Sequence, residues 1–227
     1  MQAIKPGFSI EFPTNDTTIT EMMELVEKSA RLCYKAEGHM GDTFNPQFLR
    51  SKIDMGHESV IEHSLVSVRV ICDRGVSHEI VRHRIGASYS QESTRYCNYG
   101  NDKFGNEITV IDILGGIALD SQMQKLPAEV IFDIVAEWIH AMENAEKSYL
   151  RMITLGATPQ IARSVLPNST KTEIMMSMNF RSWRHFFSLR TPVTAHPQMR
   201  EIMIKLLAHF KHTFPVIFDD IELPTAA

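Results

Sequence analysis

Residues 65–73 read LVSVRVICD, and their alternation carries the clearest structural signal in the chain. The side chains of Val66, Val68 and Val70 fall on one face of an extended segment, whereas Arg69 falls on the opposite face. Successive side chains of a strand point to opposite faces of a sheet, so this period indicates a half-buried strand. The segment is therefore predicted to be a strand that buries its valines.

Helical periodicity dominates the rest of the chain. Gly75 ends the strand, and a helix is expected to begin at Ser77 and to run into Arg82. Further helices are predicted over residues 17–34, 129–152, 157–164, 170–190 and 197–212, and a second strand over residues 107–113. Few strands and several helices indicate an α+β fold.

The composition indicates a globular protein whose basic character is local. The 227 residues are 44% hydrophobic, which suffices for a core, and the formal net charge of −4 argues against a protein that coats nucleic acid. No apolar run reaches the roughly 18 residues of a membrane helix, and the N-terminus lacks a leader pattern. Cys33, Cys72 and Cys97 suggest no disulfide framework. We therefore expect a cytoplasmic protein with no nucleic-acid or membrane partner.

The stretch RHRIGASYSQESTRY, residues 82–96, indicates an anion site. The planar guanidinium group of arginine binds phosphate through paired hydrogen bonds. Consecutive helical residues point about 100° apart, so Arg82, His83 and Arg84 would fan out and suit an extended site or two ligands. The serines and backbone amides of residues 86–94 would complete an oxygen-binding loop. The competing interpretation is a solvated basic patch with surface ion pairs.

Two further segments bear on metal binding and on packing. HESVIEH, residues 57–63, does not match the HExxH zinc motif because Ile61 stands where the second histidine is needed, so no metal site is expected. In NFRSWRHFFSLR, residues 179–190, helical spacing assigns a core role to Phe180, Trp183 and Phe187.

Taken together, these segments resemble the flavin-dependent thymidylate synthases. RHRIGASYSQESTRY is similar to the signature of that family, in which Arg-His-Arg is followed by serines and then by Arg-Tyr. Four further blocks resemble family blocks and occur in the same order: SARLCY at 29–34, GHESVIEH at 56–63, ARSVLP at 162–167 and NFRSWRHFFSLR at 179–190. The resemblance spans most of the chain.

The resemblance implies the fold of that family, a mixed or antiparallel sheet flanked by long helices, in a single domain spanning residues 1–227. It implies a homotetramer with sites at subunit junctions, which converts dUMP to dTMP with FAD, methylenetetrahydrofolate and NADPH. By position, the expected FAD residues are His57, Ser59, Arg82, His83, Arg84, Gln91, Asn179, Arg181 and His185. The expected dUMP residues are Glu79, Arg82, Gln91, Glu92, Ser93, Thr94, Arg95, Arg163 and Arg190.

The same resemblance makes Arg190 the expected catalytic residue. Placed near the N3 and O4 edge of uracil, its charge would stabilise an anion that develops on the ring. The other chemical route, thiolate addition to the ring, requires an activated cysteine, for which Cys97 is the candidate. Cys97 is explained more simply as a small apolar residue.

Two departures from the family pattern bear on these expectations. The segment between Arg84 and Ser93 is one residue longer than the commonest spacing, with the additional residue within 85–87. Glu79 stands where some members have glutamine, and its carboxylate would repel phosphate unless a cation intervenes. Three other functions stay open: a flavin oxidase on the same scaffold, a nucleic-acid binding module and a structural oligomer.

Overall fold

The structure, a computed structural model, describes residues 1–41 and 43–224. Within these residues the strands are β1 (Gln2–Ile4), β2 (Gly7–Phe12), β3 (Val66–Asp73), β4 (Ala87–Gln91), β5 (Thr109–Ile111) and β6 (Lys171–Met178). The helices are α1 (Asp16–Cys33), α2 (Pro46–Asp54), α3 (Arg74–Ile80), α4 (Leu114–Leu119), α5 (Ala128–Thr154), α6 (Pro159–Ala162), α7 (Phe180–Arg190), α8 (Pro197–Thr213) and α9 (Pro215–Phe218). Short 3-10 turns include Glu58–Glu62 and Arg163–Val165.

The main sheet is antiparallel and has the strand order β2-β3-β6-β4. The valines Val66, Val68 and Val70 of its inner strand β3 are fully buried, whereas Arg69 is exposed. The predicted alternation is therefore confirmed. β1 and β5 form a separate parallel pair. This combination of small sheets with many helices confirms the α+β class.

Aromatic residues of α7 and α8 pack on the buried face of the sheet. Phe180, Trp183 and Phe187 are fully buried, as the helical spacing predicted. The rings of Trp183 and Phe187 are stacked with centroids 5.5 Å apart, and the ring of Phe210 lies 5.0 Å from that of Trp183. The Trp183 indole also donates a hydrogen bond to the Val66 carbonyl at 3.1 Å, which satisfies its polar atom inside the core.

The long helix α5 covers a second and smaller core. Met142 and Tyr149 of α5 pack there with residues that include Tyr99 and Val110. The first half of α5 is largely uncovered, and the side chain of Phe132 is 73% exposed. A helix that is apolar on an uncovered face is typical of an interface with another chain.

The predicted helix over residues 170–190 is wrong in its first half. Residues 171–178 form β6, and the helix begins only at Phe180, after Asn179. The sequence KTEIMMSM alternates strictly between buried and half-buried positions. Methionine is compatible with both helix and strand. Residues 171–178 form a strand because β3 and β4 are available to pair with them.

The other predicted elements are confirmed with adjusted ends. The helices over 17–34, 129–152 and 197–212 correspond to α1, α5 and α8, and the strand over 107–113 corresponds to β5. The helix over 157–164 is α6 followed by a 3-10 turn. α3 begins at Arg74, three residues earlier than predicted, because Asp73 caps it by accepting a hydrogen bond from the Val76 amide at 2.7 Å. None of the described helices is both long and apolar enough to cross a membrane.

Two leucines allow a test of where the core lies. We expect Leu206→Ala, at a fully buried position of α8, to lower the free energy of unfolding by about 2–5 kcal/mol, because it leaves a cavity. Leu155→Ala, at a position that is 68% exposed, should change it by no more than about 0.5 kcal/mol. Denaturant unfolding of both variants measures the difference. Equal losses would contradict the described packing of α8.

Candidate functional site

A cavity of about 880 Å³ lies between the turn after α3 and helix α7, and we call it the arginine cavity. It brings together seven of the predicted site residues: Arg82, His83, Arg84, Asn179, Arg181, His185 and Arg190. The other lining residues are Glu62, Ile85, Gly86, Met178, Ser182 and Leu189. Four arginines and one carboxylate therefore face the same space, which favours an anionic ligand.

The Arg-His-Arg segment follows α3 rather than lying on it. α3 ends at Ile80, so Arg82, His83 and Arg84 occupy the turn and loop beyond it. The expectation that these side chains fan out from a helix is therefore wrong in its premise. Gly86 then adopts a φ of +69°, a conformation that glycine tolerates because it has no Cβ.

Helix α7 supplies the opposite wall of the cavity. Its cap residue Asn179 accepts a hydrogen bond from the Ser182 amide at 2.9 Å, which fixes where the helix begins. Arg181 and His185 are four residues apart and share one helical face, so both line the cavity.

Arg190, the predicted catalytic residue, ends α7 and is held by three hydrogen bonds. Its Nε donates to His83 Nε2 at 2.9 Å, and its Nη1 donates to Glu79 Oε2 at 3.0 Å. Its Nη2 donates to the Glu79 carbonyl oxygen at 3.1 Å. A carboxylate at position 79 was expected to repel an anionic ligand unless a cation intervened, and Arg190 is such a cation.

His83 is an uncharged acceptor in this cluster. Burial lowers its pKa to about 4, and the neighbouring Arg190 and His185 lower it in the same direction. The Nε2 atom that accepts from Arg190 carries no proton, which assigns the ring proton to Nδ1. The positive field of the arginine cavity therefore comes from its arginines.

Carboxylates of the Glu58–Glu62 turn neutralise Arg181 at the rim of the cavity. Arg181 Nη1 donates to Glu62 Oε1 at 2.6 Å, and its Nε lies 3.4 Å from Glu58 Oε2. The Arg181 side chain is about half exposed, where such pairs contribute little stability. A ligand anion can therefore replace a carboxylate at small cost. Sequence reasoning missed both glutamates, although they lie within the quoted block at 56–63.

A second cavity, of about 500 Å³, is lined by basic residues without a carboxylate, and we call it the Arg163 cavity. Its lining residues are Arg74, His78, Thr94, Gln160, Arg163, Ser164, Leu166, Pro167 and Asn168. Arg163 Nη1 donates to Thr94 Oγ1 at 3.3 Å, so two residues predicted for one ligand meet here. The Nη1 atom of Arg74 is buried and has no hydrogen-bond partner among the described residues. A buried guanidinium nitrogen without an acceptor favours an anionic ligand.

Sequence reasoning missed Arg74 and His78. The predicted helix begins at Ser77, so Arg74 falls outside it, whereas α3 begins at Arg74. Once Asp73 is recognised as the helix cap, Arg74 and His78 fall four residues apart on one face of α3. That spacing was the signal available in the sequence.

Gln91 and Glu92 make their contacts with protein groups. Gln91 Nε2 donates to Ser77 Oγ at 2.9 Å and to Thr172 Oγ1 at 3.1 Å. The two carboxylate oxygens of Glu92 accept from Tyr99 Oη at 3.0 Å and from Lys171 Nζ at 3.1 Å. Residues 87–91 form β4, so the expected oxygen-binding loop is wrong there, because backbone groups of this segment pair with β6.

Seven predicted site residues line neither cavity: His57, Ser59, Glu79, Gln91, Glu92, Ser93 and Arg95. His57 and Ser59 are exposed, and His57 Nδ1 lies 2.5 Å from Tyr34 Oη. The Arg95 guanidinium lies 5.5 Å from the centre of the Tyr96 ring. The chain alone therefore gathers only part of the predicted set.

The thiol of Cys97 is partly buried and lies near the charge of Glu92. Burial raises the pKa of its thiol, and the charge of Glu92 raises it further. Both effects disfavour the thiolate that would attack a ring carbon. Among the described residues, no three histidine, cysteine, aspartate or glutamate side chains are grouped so that they could hold a metal ion.

Comparison with known sequences identifies relatives over nearly the whole chain. The profile of the family described as thymidylate synthase complementing protein matches residues 17–216. The chain is 30% identical over 210 residues to a flavin-dependent thymidylate synthase of Mycobacterium avium, covering 89% of this chain and 81% of that protein. It is 29% identical over 219 residues to one of Corynebacterium aurimucosum, covering 93% and 85%.

Solved structures share the fold. The crystal structure of the UMP/dUMP methylase PolB from Streptomyces cacaoi with 5-Br dUMP superposes with a TM-score of 0.77 at 21% identity, over 96% of both chains. Its structure with 5-Br UMP gives a TM-score of 0.74.

The state of His83 can be measured directly. We expect nitrogen-15 NMR of the imidazole to show a neutral ring with its proton on Nδ1 at pH 6 and a pKa near 4. Because the folded pKa lies below the unfolded value of about 6.5, the stability that neutral His83 contributes is complete above pH 6.5 and is lost as the pH falls towards 4. His83→Gln should remove this part of the acid sensitivity. A wild-type titration near 6.5 would contradict the described burial.

Proposed function

The chain belongs to the thymidylate synthase complementing protein family, and on this premise we propose that it is a flavin-dependent thymidylate synthase that methylates dUMP to dTMP. The observation that carries the proposal is the convergence of Arg82, Arg84, Arg181 and Arg190 on one cavity. FAD, methylenetetrahydrofolate and NADPH are the proposed cofactor and co-substrates.

The charge of the arginine cavity suits the pyrophosphate of FAD. Arg82, Arg84 and Arg181 provide donors for a pyrophosphate. Gly86 lets its loop approach α7 closely, because a Cβ at position 86 would collide with the Ser182 hydroxyl. When bound, FAD would carry electrons from NADPH to the transferred carbon.

The Arg163 cavity is the proposed site of the dUMP phosphate. Arg163 and Arg74 would bind the dianion, and Thr94 and His78 would add polar contacts. The buried and unpartnered Nη1 atom of Arg74 supports this assignment. α3 carries Arg74 and His78, which line the Arg163 cavity. It is followed directly by the Arg-His-Arg segment, which lines the arginine cavity.

Arg190 is the proposed catalytic residue. Three of its five N–H groups are used by His83 and Glu79, which leaves two for a ligand. Directed at the uracil O4 edge, they would stabilise negative charge as it develops on the ring during carbon transfer. This route needs no enzyme thiolate, in agreement with the raised pKa of Cys97.

A homotetramer with sites at subunit junctions is the proposed assembly. His57 and Ser59 are exposed and lie outside the arginine cavity of their own chain, so they are free to contact a flavin or folate bound at a junction with a neighbouring chain. The exposed apolar residues of α5, among them Phe132, offer a surface that such contacts would bury.

The visible spectrum of the purified protein tests the cofactor and the reaction together. We expect a flavin band that NADPH bleaches without oxygen and that returns, with dTMP formed, when dUMP and methylenetetrahydrofolate are added. Arg190→Ala should keep the flavin band but lose at least about 100-fold in dTMP formation, because it removes a donor to the developing anion.

Arg151→Ala, in the exposed last turn of α5, is the matched control and should keep wild-type turnover. Retained turnover in Arg190→Ala would refute the role of Arg190. NADPH oxidation without dTMP in the wild type would point to a flavin oxidase, and a protein that cannot be reconstituted with FAD would refute the flavin assignment.

Mixed tetramers test whether one active site combines the arginine cavity of one chain with the Arg163 cavity of another. Each of the chains Arg163→Ala and Arg190→Ala should be inactive alone. Random mixing should restore about a quarter of wild-type activity, because that share of junctions has both arginines intact. A mixture of Arg82→Ala and Arg190→Ala chains should stay inactive, since both residues line the same cavity. Equal recovery in the two mixtures, or none in either, would argue against a shared site.

A further inference from the structure

Glu79 contacts both Arg190 and His196, a histidine that is not among the predicted site residues. Its Oε2 accepts from Arg190 Nη1 at 3.0 Å, and its Oε1 lies 3.2 Å from His196 Nδ1. His196 Nδ1 is buried and makes no well-aligned hydrogen bond in this state. A buried polar atom at contact distance from a carboxylate oxygen calls for a physical explanation.

The direction of Arg190 depends on Glu79. Two of its three hydrogen bonds end on Glu79, one on the carboxylate and one on the backbone carbonyl. The backbone contact is fixed by α3, but the carboxylate can rotate about its last torsion, which is broad for glutamate. A second partner on Oε1 would hold Oε2 towards Arg190.

His196 is well placed to be that partner because α8 fixes its backbone. It is the residue before Pro197, which begins α8, and the following Met199 and Met203 are fully buried. Gln198 Nε2 also donates to Asp73 Oδ2 at 3.0 Å, so the start of α8 is linked to the start of α3 as well as to Glu79 near its end.

We propose that His196 is a positioning residue for Arg190: it holds the Glu79 carboxylate so that the two remaining N–H groups of Arg190 point into the arginine cavity. The proposal rests on the proposed function, in which Arg190 acts on the uracil ring. The 3.2 Å between His196 Nδ1 and Glu79 Oε1 is within hydrogen-bonding distance, so a rotation of the imidazole would be enough to form the bond. Hydrogen bonds at catalytic sites are often poorly aligned without ligand and tighten when substrate binds.

Two substitutions of similar size separate this role from simple packing. His196→Asn places an amide nitrogen close to the position of Nδ1 and keeps a donor for Glu79, whereas His196→Leu removes the donor. We expect His196→Leu to lower kcat about 10- to 100-fold, as misplacement of a catalytic group does, with the flavin content and the KM for dUMP changed less than about 2-fold. His196→Asn should restore most of kcat.

His212→Leu is the matched control on the same helix. His212 is exposed in the last turn of α8, far along the helix from Glu79, and its substitution should leave kcat unchanged. Thermal unfolding of the three variants checks that all of them are folded at the assay temperature.

A readout without turnover keeps the proposal separate from the proposed function. In protein labelled with nitrogen-15 arginine, the Arg190 Nε–H signal is assigned by its loss in Arg190→Lys. Its exchange with water should be slow in the wild type and in His196→Asn, because it is bonded to His83, and faster in His196→Leu. The exchange rate can be measured even if the wild type forms no dTMP. Absence of dTMP would refute the proposed function but not the positioning role of His196.

Several results would overturn the positioning role. Wild-type kcat in folded His196→Leu would do so, as would unchanged exchange of the Arg190 Nε–H. Loss of flavin from His196→Leu would instead assign His196 to the cofactor site. Failure of His196→Asn to recover would show that the imidazole itself, and not a donor to Glu79, is required.

Discussion

The antiparallel pairing of β4 with β6 is the constraint on which the arginine cavity depends. The first residue of β4, Ala87, lies opposite Met178, the last residue of β6. The end of the loop at Gly86 and the beginning of α7 after Asn179 therefore lie side by side, although about 90 residues separate them in the chain. A slip of this register by one residue would turn the strand over and separate the two walls.

Two arginines of the cavity are paired with carboxylates of the protein. Arg181 is paired with glutamates of the 3-10 turn, and Arg190 with Glu79, so the folded chain does not carry four unpartnered guanidinium groups. The half-exposed pair of Arg181 costs little to open, whereas Arg190 is also bonded to His83 and to a backbone carbonyl. The first arrangement suits a residue that binds a ligand anion, and the second suits one that must keep a fixed direction.

Sequence patterns predict an element correctly where the spacing of apolar residues fits only a helix or only a strand. The valines of β3, the long helix α5 and the buried aromatics of α7 follow from spacing alone. Residues 171–178 could not be assigned in this way, because methionine fits helix and strand and only the neighbouring strands decide. Contacts between distant segments, such as Glu62 with Arg181 and Glu79 with His196, leave no local signal in the sequence.

The loop between Arg84 and Ala87 shows how the chain shapes the site while it keeps the register of β4. Gly86, in the left-handed region, turns the backbone sharply into β4, and Ile85 is turned outward until 93% of its side chain is exposed. The chain therefore completes this turn before the first paired residue, Ala87. Any residue with a Cβ at position 86 would meet both the backbone strain and the Ser182 hydroxyl, so this turn beside α7 depends on glycine.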